Sequence, residues 1–292
     1  MRSSTAKLLH TEEAAQCEPS TWFPSRDVVP PPKPPRLILD RVPIDRVGME
    51  FAAAWVIQRL KKRSARPPLL IMGPNAQLVT LARTHPRFAE ALQAADLCVP
   101  DGMSVVFASR LLGKPIPERV PGGELMERLC AEAARCGLSV FLLGGLPGAA
   151  GGAAAALERS YPGLRIAGTY CPPQGFEKDG VELAHIRHVI AAAAPDLLCV
   201  AFGAPKQEIW IHENCRSLPI GAAIAVGAAL DTQAGLRKRA PQWTHDVGLE
   251  WLYRLVREPR RLWRRYLFGN CRFIWLVVRQ WVVGSSRLGF DS

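Results

Sequence analysis

The stretch Leu97–Ser104, LCVPDGMS, decides the fold. Its first three residues are apolar and predict a buried strand, which Pro100 ends because proline has no N–H to donate to a neighbouring strand. In an open parallel sheet, ligands bind in the crevice beyond the carboxyl ends of the strands. Asp101 is therefore a carboxylate at a candidate binding edge, beside the flexible Gly102. The alternative is that Asp101 only caps the helix that follows it.

The order of strand, loop and helix repeats on both sides of this stretch. Apolar runs predict short strands, and helical periodicity separates most of them, with the strands at 36–39, 69–72, 139–143, 164–167, 196–201 and 222–226. Repeated units of this length are typical of a parallel sheet with helices on both faces. The predicted fold class is therefore α/β. A turn is predicted between the first two of these strands, at Val42–Asp45.

Composition divides the chain into three segments. Residues 1–35 end in VVPPPKPPR and predict a disordered, proline-rich leader, because proline neither continues a helix nor pairs in a sheet. Residues 36–246 carry the repeated units and form the predicted α/β domain. Residues 247–292 are basic, with apolar residues at helical spacing, and predict an amphipathic helical appendage.

Several classes of protein are excluded by what the sequence lacks. The eight cysteines form no C-x-x-C pair and several lie in apolar runs, which indicates free thiols in a reducing compartment. The N-terminus has no apolar stretch typical of a secretory signal. No run of eighteen uncharged apolar residues predicts a transmembrane helix. We therefore expect a cytoplasmic protein.

Most of the net charge of +11 lies near the C-terminus, where residues 237–287 carry twelve Lys or Arg against three acidic residues. Such a cluster suits a polyanion. Arg254, Arg257, Arg261 and Arg264 share one face of a helix broken or started near Pro259, among Trp and Leu residues, and so predict a segment that lies on anionic lipid. Of these, Arg254, Arg261 and Arg264 are the candidates to bind the diphosphate of a lipid. A packed amphipathic helix with solvated arginines is the alternative.

A glycine-rich loop, GGLPG at Gly144–Gly148, joins a predicted strand to a predicted helix. In that context, the amides of Gly144 and Gly145 are candidates to bind a phosphate. The loop matches neither G-x-G-x-x-G nor a Walker motif. Tight packing of strand against helix is the alternative reason for these glycines.

Four loops at predicted strand ends are candidates for one site: Gly73–Gln77, Pro100–Gly102, Arg119–Gly123 and Gly203–Glu208. Together they offer an amide, a carboxylate, a guanidinium and a Lys-Gln-Glu cluster. This set suits transfer to an alcohol, in which Asp101 takes the proton and cations stabilise a phosphate leaving group. No G-x-S-x-G or Cys-His signature supports nucleophilic catalysis.

Six motifs, in order, carry a resemblance to a known family. They are PNAQLV at 74–79, DG at 101–102, RVPGGEL at 119–125, GAPKQE at 203–208, VGAALDTQAGLRKRAPQW at 226–243 and GLEWLYRLVREPRRLWRRYL at 248–267. From about Arg36 to Phe273, the chain resembles the WecG/TagA/CpsF family of bacterial glycosyltransferases.

The resemblance implies a Rossmann-like sheet domain that is catalytic. It implies transfer of a hexose or N-acetylhexosamine, with inversion, from a UDP-sugar to a polyprenyl-diphosphate-linked sugar, in the synthesis of a cell-surface polysaccharide of the exopolysaccharide, teichoic acid or capsule type. The enzyme would act as a peripheral protein on the inner face of the cell membrane, without metal or other cofactor. Assembly as a homo-oligomer is left open.

The family pattern also implies roles for single residues. It makes Asp101 the general base, and it places Asn75, Arg119 and Gln207 around the donor or acceptor. Gly73 departs from the pattern, because the family often has threonine there. Gly123-Glu124 departs as well, where Ser-Asp is usual.

A nucleic-acid-binding protein is the alternative from another class, because arginine with interleaved aromatic residues also suits phosphates and stacked bases. The basic run is terminal, however, and it follows strand-end loops rich in Asn, Asp and Gln. No DNA- or RNA-binding motif accompanies it. These observations favour the glycosyltransferase that the resemblance implies, with a UDP-sugar and a polyprenyl-diphosphate-linked acceptor as its expected partners and no nucleic acid.

Overall fold

A six-stranded parallel sheet forms the centre of the protein, as predicted. The structure is a computed structural model, and it describes residues 32–62, 67–238 and 259–288; within the last range, side chains are described from 269 to 283. The strand order is β4-β3-β8-β7-β5-β6. The strands are β3 (Leu69–Met72), β4 (Leu97–Cys98), β5 (Ser139–Gly144), β6 (Arg165–Tyr170), β7 (Leu197–Ala201) and β8 (Ala222–Ala225).

Helices cover both faces of this sheet, which confirms the predicted fold class. They are α1 (Met49–Lys61), α2 (Ala76–Ala82), α3 (Pro86–Gln93), α4 (Met103–Leu111), α5 (Gly122–Cys136), α6 (Ala149–Ser160), α7 (Gly180–Ala193), α8 (Lys206–Asn214), α9 (Ala229–Gln233) and α10 (Pro259–Leu288). Short 3-10 helices occur at Phe176–Lys178 and Cys215–Ser217.

Successive strand residues contribute to two separate apolar layers. Leu70 and Met72 join the layer with α2, α3 and α8, whereas Leu69 and Ile71 join the layer with α1, α5 and α6. This alternation follows from the two-residue period of a strand. Because both faces are covered, the inner strands are almost entirely apolar and appear in the sequence as continuous apolar runs. The edge strand β6 differs, because its residues are exposed or half-buried and include Arg165 and Thr169.

The turn predicted at Val42–Asp45 is wrong. These residues form a second strand, β2 (Val42–Asp45), which pairs antiparallel with β1 (Arg36–Leu39). The reversal occurs at Asp40 and Arg41, where Asp40 adopts a φ of 55°. Aspartate tolerates this left-handed conformation better than most residues.

Asp45 joins the hairpin to the central sheet. Its carboxylate is fully buried and accepts hydrogen bonds from Arg36 Nε at 2.6 Å and from the backbone N of Cys98 at 2.7 Å. Arg36 Nη2 donates in addition to the carbonyls of Ala95 and Asp96. The carboxylate of Asp45, which was predicted to lie in a turn, is therefore buried and paired with Arg36. Its hydrogen bond with Cys98 N holds the hairpin against β4.

The C-terminal helix α10 spans Pro259–Leu288, and the sequence predicts a helix that is broken or started near Pro259. Phe273, Leu276 and Val277 are buried in the layer that contains α2 and the hairpin. Gln280 accepts a hydrogen bond from Asp40 N and donates one to Ile38 O. The helix therefore packs directly on the sheet domain through one side.

The opposite side of α10 exposes large apolar side chains, which are Ile274, Trp275, Val278, Trp281, Val282 and Val283. In the part of the chain that the structure describes, no helix has the length and apolarity needed to cross a membrane. The division into a leader, a domain at 36–246 and an appendage at 247–292 stays a prediction, since most of residues 1–35 and all of 239–258 lie outside the described residues.

The cysteines of the described residues are free thiols. Cys98, Cys130, Cys199 and Cys215 are buried, Cys136 and Cys171 are partly exposed, and Cys271 is exposed. Cys17 lies outside the described residues.

We expect Asp45→Asn to lower the free energy of unfolding by about 2–3 kcal/mol, because it leaves the Arg36 guanidinium without its buried charge partner. Asp40→Asn is the matched control, since the Asp40–Arg83 pair is 3.6 Å long and partly exposed and is worth less than about 1 kcal/mol. Urea unfolding of both variants measures the difference. Equal losses would contradict the role assigned to Asp45.

Candidate active site

The loops that follow β3 and β4 lie side by side at the carboxyl edge of the sheet. Asp101 N donates to Pro74 O at 3.2 Å. A Cβ placed on Gly73 would lie 3.2 Å from Asp101 Cβ, and one placed on Gly102 would lie 3.6 Å from Asn75 Cβ. The predicted meeting of Asp101 and Asn75 at one edge therefore occurs.

Asp101 is partly buried and directly precedes the N-cap position of α4. That position belongs to Gly102, which has a φ of 142° and no side chain with which to cap. The interpretation in which Asp101 is the N-cap of this helix therefore does not describe its place. Asp101 stands at the end of β4 on a backbone that Pro74 O anchors.

Gly73 leaves space beside Asp101. Its backbone is not in the left-handed region, so conformation does not require a glycine here. A Cβ at this position would lie 3.2 Å from Asp101 Cβ, which is a tight contact, and 3.6 Å from Asp101 Oδ2, which is an ordinary van der Waals distance. The departure from the family threonine therefore changes the immediate surroundings of the proposed base.

Asn75 caps helix α2. Its side-chain Oδ1 accepts hydrogen bonds from Gln77 N at 3.1 Å and from Leu78 N at 3.2 Å. The oxygen of the amide is thus occupied by the local backbone. The side-chain N–H₂ is the group of Asn75 that remains to donate to a substrate.

The loop at Arg119–Gly123 follows α4 and its turn, and not a strand as predicted. It nevertheless reaches the same edge, because Val120 N donates to Pro100 O at 2.7 Å. The Arg119 guanidinium pairs with Glu124 at 3.1 Å. A Cβ on Gly122 would lie 2.8 Å from Ala225 O, so the start of α5 also packs tightly against the end of β8.

The GGLPG loop uses its amides within the protein. Gly145 N donates to Ala201 O at 3.0 Å, and Leu146 N donates to Asp231 Oδ1 at 2.8 Å. Gly144 and Gly145 have φ values of 98° and 85°, and added Cβ atoms would meet Phe202 and Ala149 at 2.8 Å. Tight packing thus accounts for both glycines, and their contact with a phosphate stays a prediction.

Gln207 connects two further loops. It is buried, and its side-chain Oε1 accepts hydrogen bonds from Gly203 N at 3.2 Å and from Gly227 N at 3.1 Å. Its Nε2 donates to Glu208 Oε1 at 2.9 Å. The residue predicted to surround the donor or acceptor therefore also holds the loops after β7 and β8 together.

Glu208 is a site residue that the sequence analysis named only as part of a cluster. It is 1% exposed, and its Oε2 has no hydrogen-bond partner among the described residues. Burial raises the pKa of Glu208 to about 7, because removing a carboxylate from water disfavours its charged form. Its place beside Gln207 in the GAPKQE motif is the one feature of the sequence that singles it out, and that feature does not indicate its burial.

Three cations at these loops each have a carboxylate partner. Besides Arg119 with Glu124, Lys206 pairs with Glu177 at 2.6 Å and Arg237 with Asp231 at 3.2 Å. The hydrogen bond from Lys206 lowers the pKa of Glu177. The positive charge of these loops is therefore largely balanced within the protein.

The arginines predicted to meet lipid or diphosphate are not placed. Arg254 lies outside the described residues, and Arg261 and Arg264 lie on α10, where their side chains are not described. Across the described ranges, no cluster of three His, Cys, Asp or Glu side chains is arranged to hold a metal ion.

Comparison with known proteins gives a consistent result. The sequence model of the glycosyl transferase WecG/TagA/CpsF family matches residues 37–287. Three similar relatives share the name N-acetylglucosaminyldiphosphoundecaprenol N-acetyl-beta-D-mannosaminyltransferase. The one from Bacillus spizizenii is 36% identical over 68% of this chain and 74% of its own length. The one from Bacillus subtilis is 32% identical over 68% and 75%, and the one from Staphylococcus aureus is 30% identical over 76% and 87%.

We expect Asn75→Asp to retain wild-type stability and to transfer sugar more slowly, whereas we expect Asn75→Ala to be both less stable and slower. Aspartate caps a helix as well as asparagine does, while alanine costs about 1 kcal/mol. Both variants lack the side-chain N–H₂, and we expect each to reduce the transfer rate about tenfold. Thermal unfolding and initial rates measure the two effects separately. Full activity in Asn75→Asp would show that Asn75 acts only as a cap.

Proposed function

Because the chain belongs to the glycosyl transferase WecG/TagA/CpsF family, and is a glycosyltransferase as its motifs predict, we propose that it transfers an N-acetylhexosamine from a UDP-sugar to a polyprenyl-diphosphate-linked sugar. The names of the three relatives favour N-acetylmannosamine as the sugar and an N-acetylglucosaminyl diphospholipid as the acceptor. The product would enter a cell-surface polysaccharide, with a teichoic acid as the first candidate.

One observation carries this proposal, which is the carboxylate of Asp101 at the end of β4, beside Gly73 and beside Asn75, the N-cap of α2. In the proposed step, Asp101 takes the proton of the acceptor hydroxyl while the oxygen of that hydroxyl attacks the anomeric carbon of the donor sugar. The bond from that carbon to the UDP oxygen breaks, and its electron pair leaves with UDP. Attack opposite the leaving group inverts the anomeric centre.

Charge balance at the edge supports a role for the basic C-terminal segment. Arg119, Lys206 and Arg237 each face a carboxylate partner. The diphosphates of donor and acceptor therefore need further cations. Arg254, Arg261 and Arg264 would supply them, since arginine binds phosphate through two parallel hydrogen bonds.

The exposed side of α10 supports attachment to an anionic membrane surface. Trp275 is about half exposed, and the guanidinium groups of Arg83 and Arg279 lie 5.9 and 5.4 Å from the centre of its ring. Arginine beside tryptophan and aliphatic side chains is typical of helices that lie in a membrane interface. This arrangement would bring the protein to its lipid-linked acceptor at the inner face of the membrane.

A donor screen tests the reaction. We expect UDP-N-acetylmannosamine with a short-chain N-acetylglucosaminyl diphospholipid to give product, and Asp101→Asn to lower turnover by about 10²–10⁴ through loss of the base. The affinity for UDP, measured by calorimetry, should stay unchanged in this variant. Near-wild-type turnover in Asp101→Asn would rule out Asp101 as the base, and no product from any UDP-sugar would overturn the proposed reaction.

Arginine-to-lysine changes test the C-terminal segment. We expect Arg254→Lys, Arg261→Lys and Arg264→Lys, made singly, to keep vesicle binding, which needs only charge, and to reduce transfer to a water-soluble acceptor at least threefold. Arg272→Lys is the matched control, because Arg272 is an exposed arginine of α10, the helix that also carries Arg261 and Arg264. If all four variants transfer at the wild-type rate, the arginines serve only in membrane attachment.

A further inference from the structure

Glu208 is a buried acid that the proposed reaction does not use. It lies in the first turn of α8 at 1% exposure, so its side chain is enclosed by the protein and has almost no accessible surface. One of its oxygens accepts a hydrogen bond from Gln207 Nε2 at 2.9 Å, and the other, Oε2, is buried without a partner among the described residues. Burying a carboxyl group with only one oxygen satisfied is costly. The cost indicates a task that an apolar residue would not perform.

The task follows from the hydrogen bonds of Gln207. A side-chain amide has nearly the same shape in both orientations, but its oxygen accepts and its nitrogen donates. Gly203 N and Gly227 N both donate to this amide, so they require the oxygen on their side. A rotated amide would direct N–H groups at two N–H donors. Glu208 Oε1 is an acceptor on the opposite side, and so it selects the orientation that both loops need.

The two loops are adjacent parts of the candidate site. Gly203 follows β7 with a φ of 76°, and Gly227 follows β8 with a φ of 58°. A Cβ on either glycine would meet no atom within 4 Å, so these glycines serve the backbone conformation and not close packing. In that conformation both N–H groups reach the same side-chain oxygen. The Gln207 amide therefore links the two loops beyond the last backbone contact of their strands, which is the hydrogen bond from Val226 N to Val200 O.

We propose that Glu208 is a positioning residue, which fixes the amide of Gln207 and thereby holds the loops after β7 and β8 in the geometry required for sugar transfer. The inference rests on the proposed function for the reaction that it supports. Its geometric part stands on the contacts of the protein alone. Burial raises the pKa of Glu208 to about 7. Protonation of Oε2 leaves Oε1 free to accept the hydrogen bond from Gln207, so Glu208 positions the amide in both protonation states.

Three variants test this role. Glu208→Met keeps the volume and removes the acceptor, whereas Glu208→Gln keeps an acceptor oxygen without the charge. Glu213→Met is the matched control, because Glu213 is an exposed residue of the same helix whose partner is Arg87. We expect exchange of the Gly203 and Gly227 amide hydrogens to accelerate roughly tenfold in Glu208→Met and to stay within about threefold of wild type in the other two. Glu208→Ala is the substitute if Glu208→Met does not fold.

A double-mutant cycle then asks whether Glu208 acts through Gln207. We expect Glu208→Met to lower the transfer rate about tenfold, Glu208→Gln to restore it, and the Gln207→Met/Glu208→Met double variant to be no slower than Gln207→Met alone. Additive losses, or unchanged exchange at both glycines in Glu208→Met, would overturn the inference. Exchange is measured without substrate, so a wild-type protein that transfers no sugar overturns the proposed function and leaves this test intact.

Discussion

Backbone groups at the carboxyl edge of the sheet must find hydrogen-bond partners beyond the last strand residue, and this requirement shapes the site. A buried N–H without a partner costs about as much as a lost hydrogen bond. The protein satisfies these groups by bonding each loop to its neighbour: Asp101 to Pro74, Val120 to Pro100, Gly145 to Ala201, and Gly203 and Gly227 to Gln207. The loops therefore form two hydrogen-bonded groups, one after β3 and β4 and one after β5, β7 and β8. The two groups meet where Gly122 packs closely against Ala225 O.

Carboxylates at the carboxyl edge of the sheet take part in these loop contacts and also balance the charge of nearby cations. Asp231 accepts a hydrogen bond from Leu146 N and pairs with Arg237, so one carboxylate both holds the GGLPG loop and neutralises a cation. Glu124 likewise neutralises a cation, because it forms an ion pair with Arg119. Such pairs stabilise the free protein, but they leave little unbalanced positive charge for a diphosphate. Recognition of phosphate by the paired cations would require a carboxylate to be displaced or a further cation to be added.

The sequence predicted the parallel sheet well because each buried strand is a continuous apolar run. It failed at Val42–Asp45, where Pro43 and Asp45 are residues typical of turns and the neutralising partner, Arg36, pairs across the hairpin. It also placed Arg119–Gly123 in a loop after a strand, whereas this loop follows α4 and its last two residues, Gly122 and Gly123, begin α5. Close packing against Ala225 O and Ala229 explains these two glycines.

Within the site, the meeting of Asp101 and Asn75 was predictable, since both follow neighbouring parallel strands. The double contact of Gln207 was not, because Gly227 is twenty residues away and nothing in the local pattern identifies it as a partner. The burial of Glu208 was hidden for a similar reason. An acid in the first turn of a helix is favourable in water as well, so only the packing of α8 against the sheet reveals that this one is enclosed.

The hairpin has a mechanical consequence. Gln280 of α10 forms hydrogen bonds with the backbone of Ile38 and Asp40. Arg36 and Asp45 form hydrogen bonds with the backbone between Ala95 and Cys98, which lies three residues before Asp101. These short links act as a strut between the C-terminal helix and β4. A tilt of the helix would therefore be passed on to the strand instead of being absorbed by a flexible joint. A surface that bound the exposed side of α10 would therefore fix the orientation of the sheet relative to that surface, and with it the direction that the carboxyl edge faces.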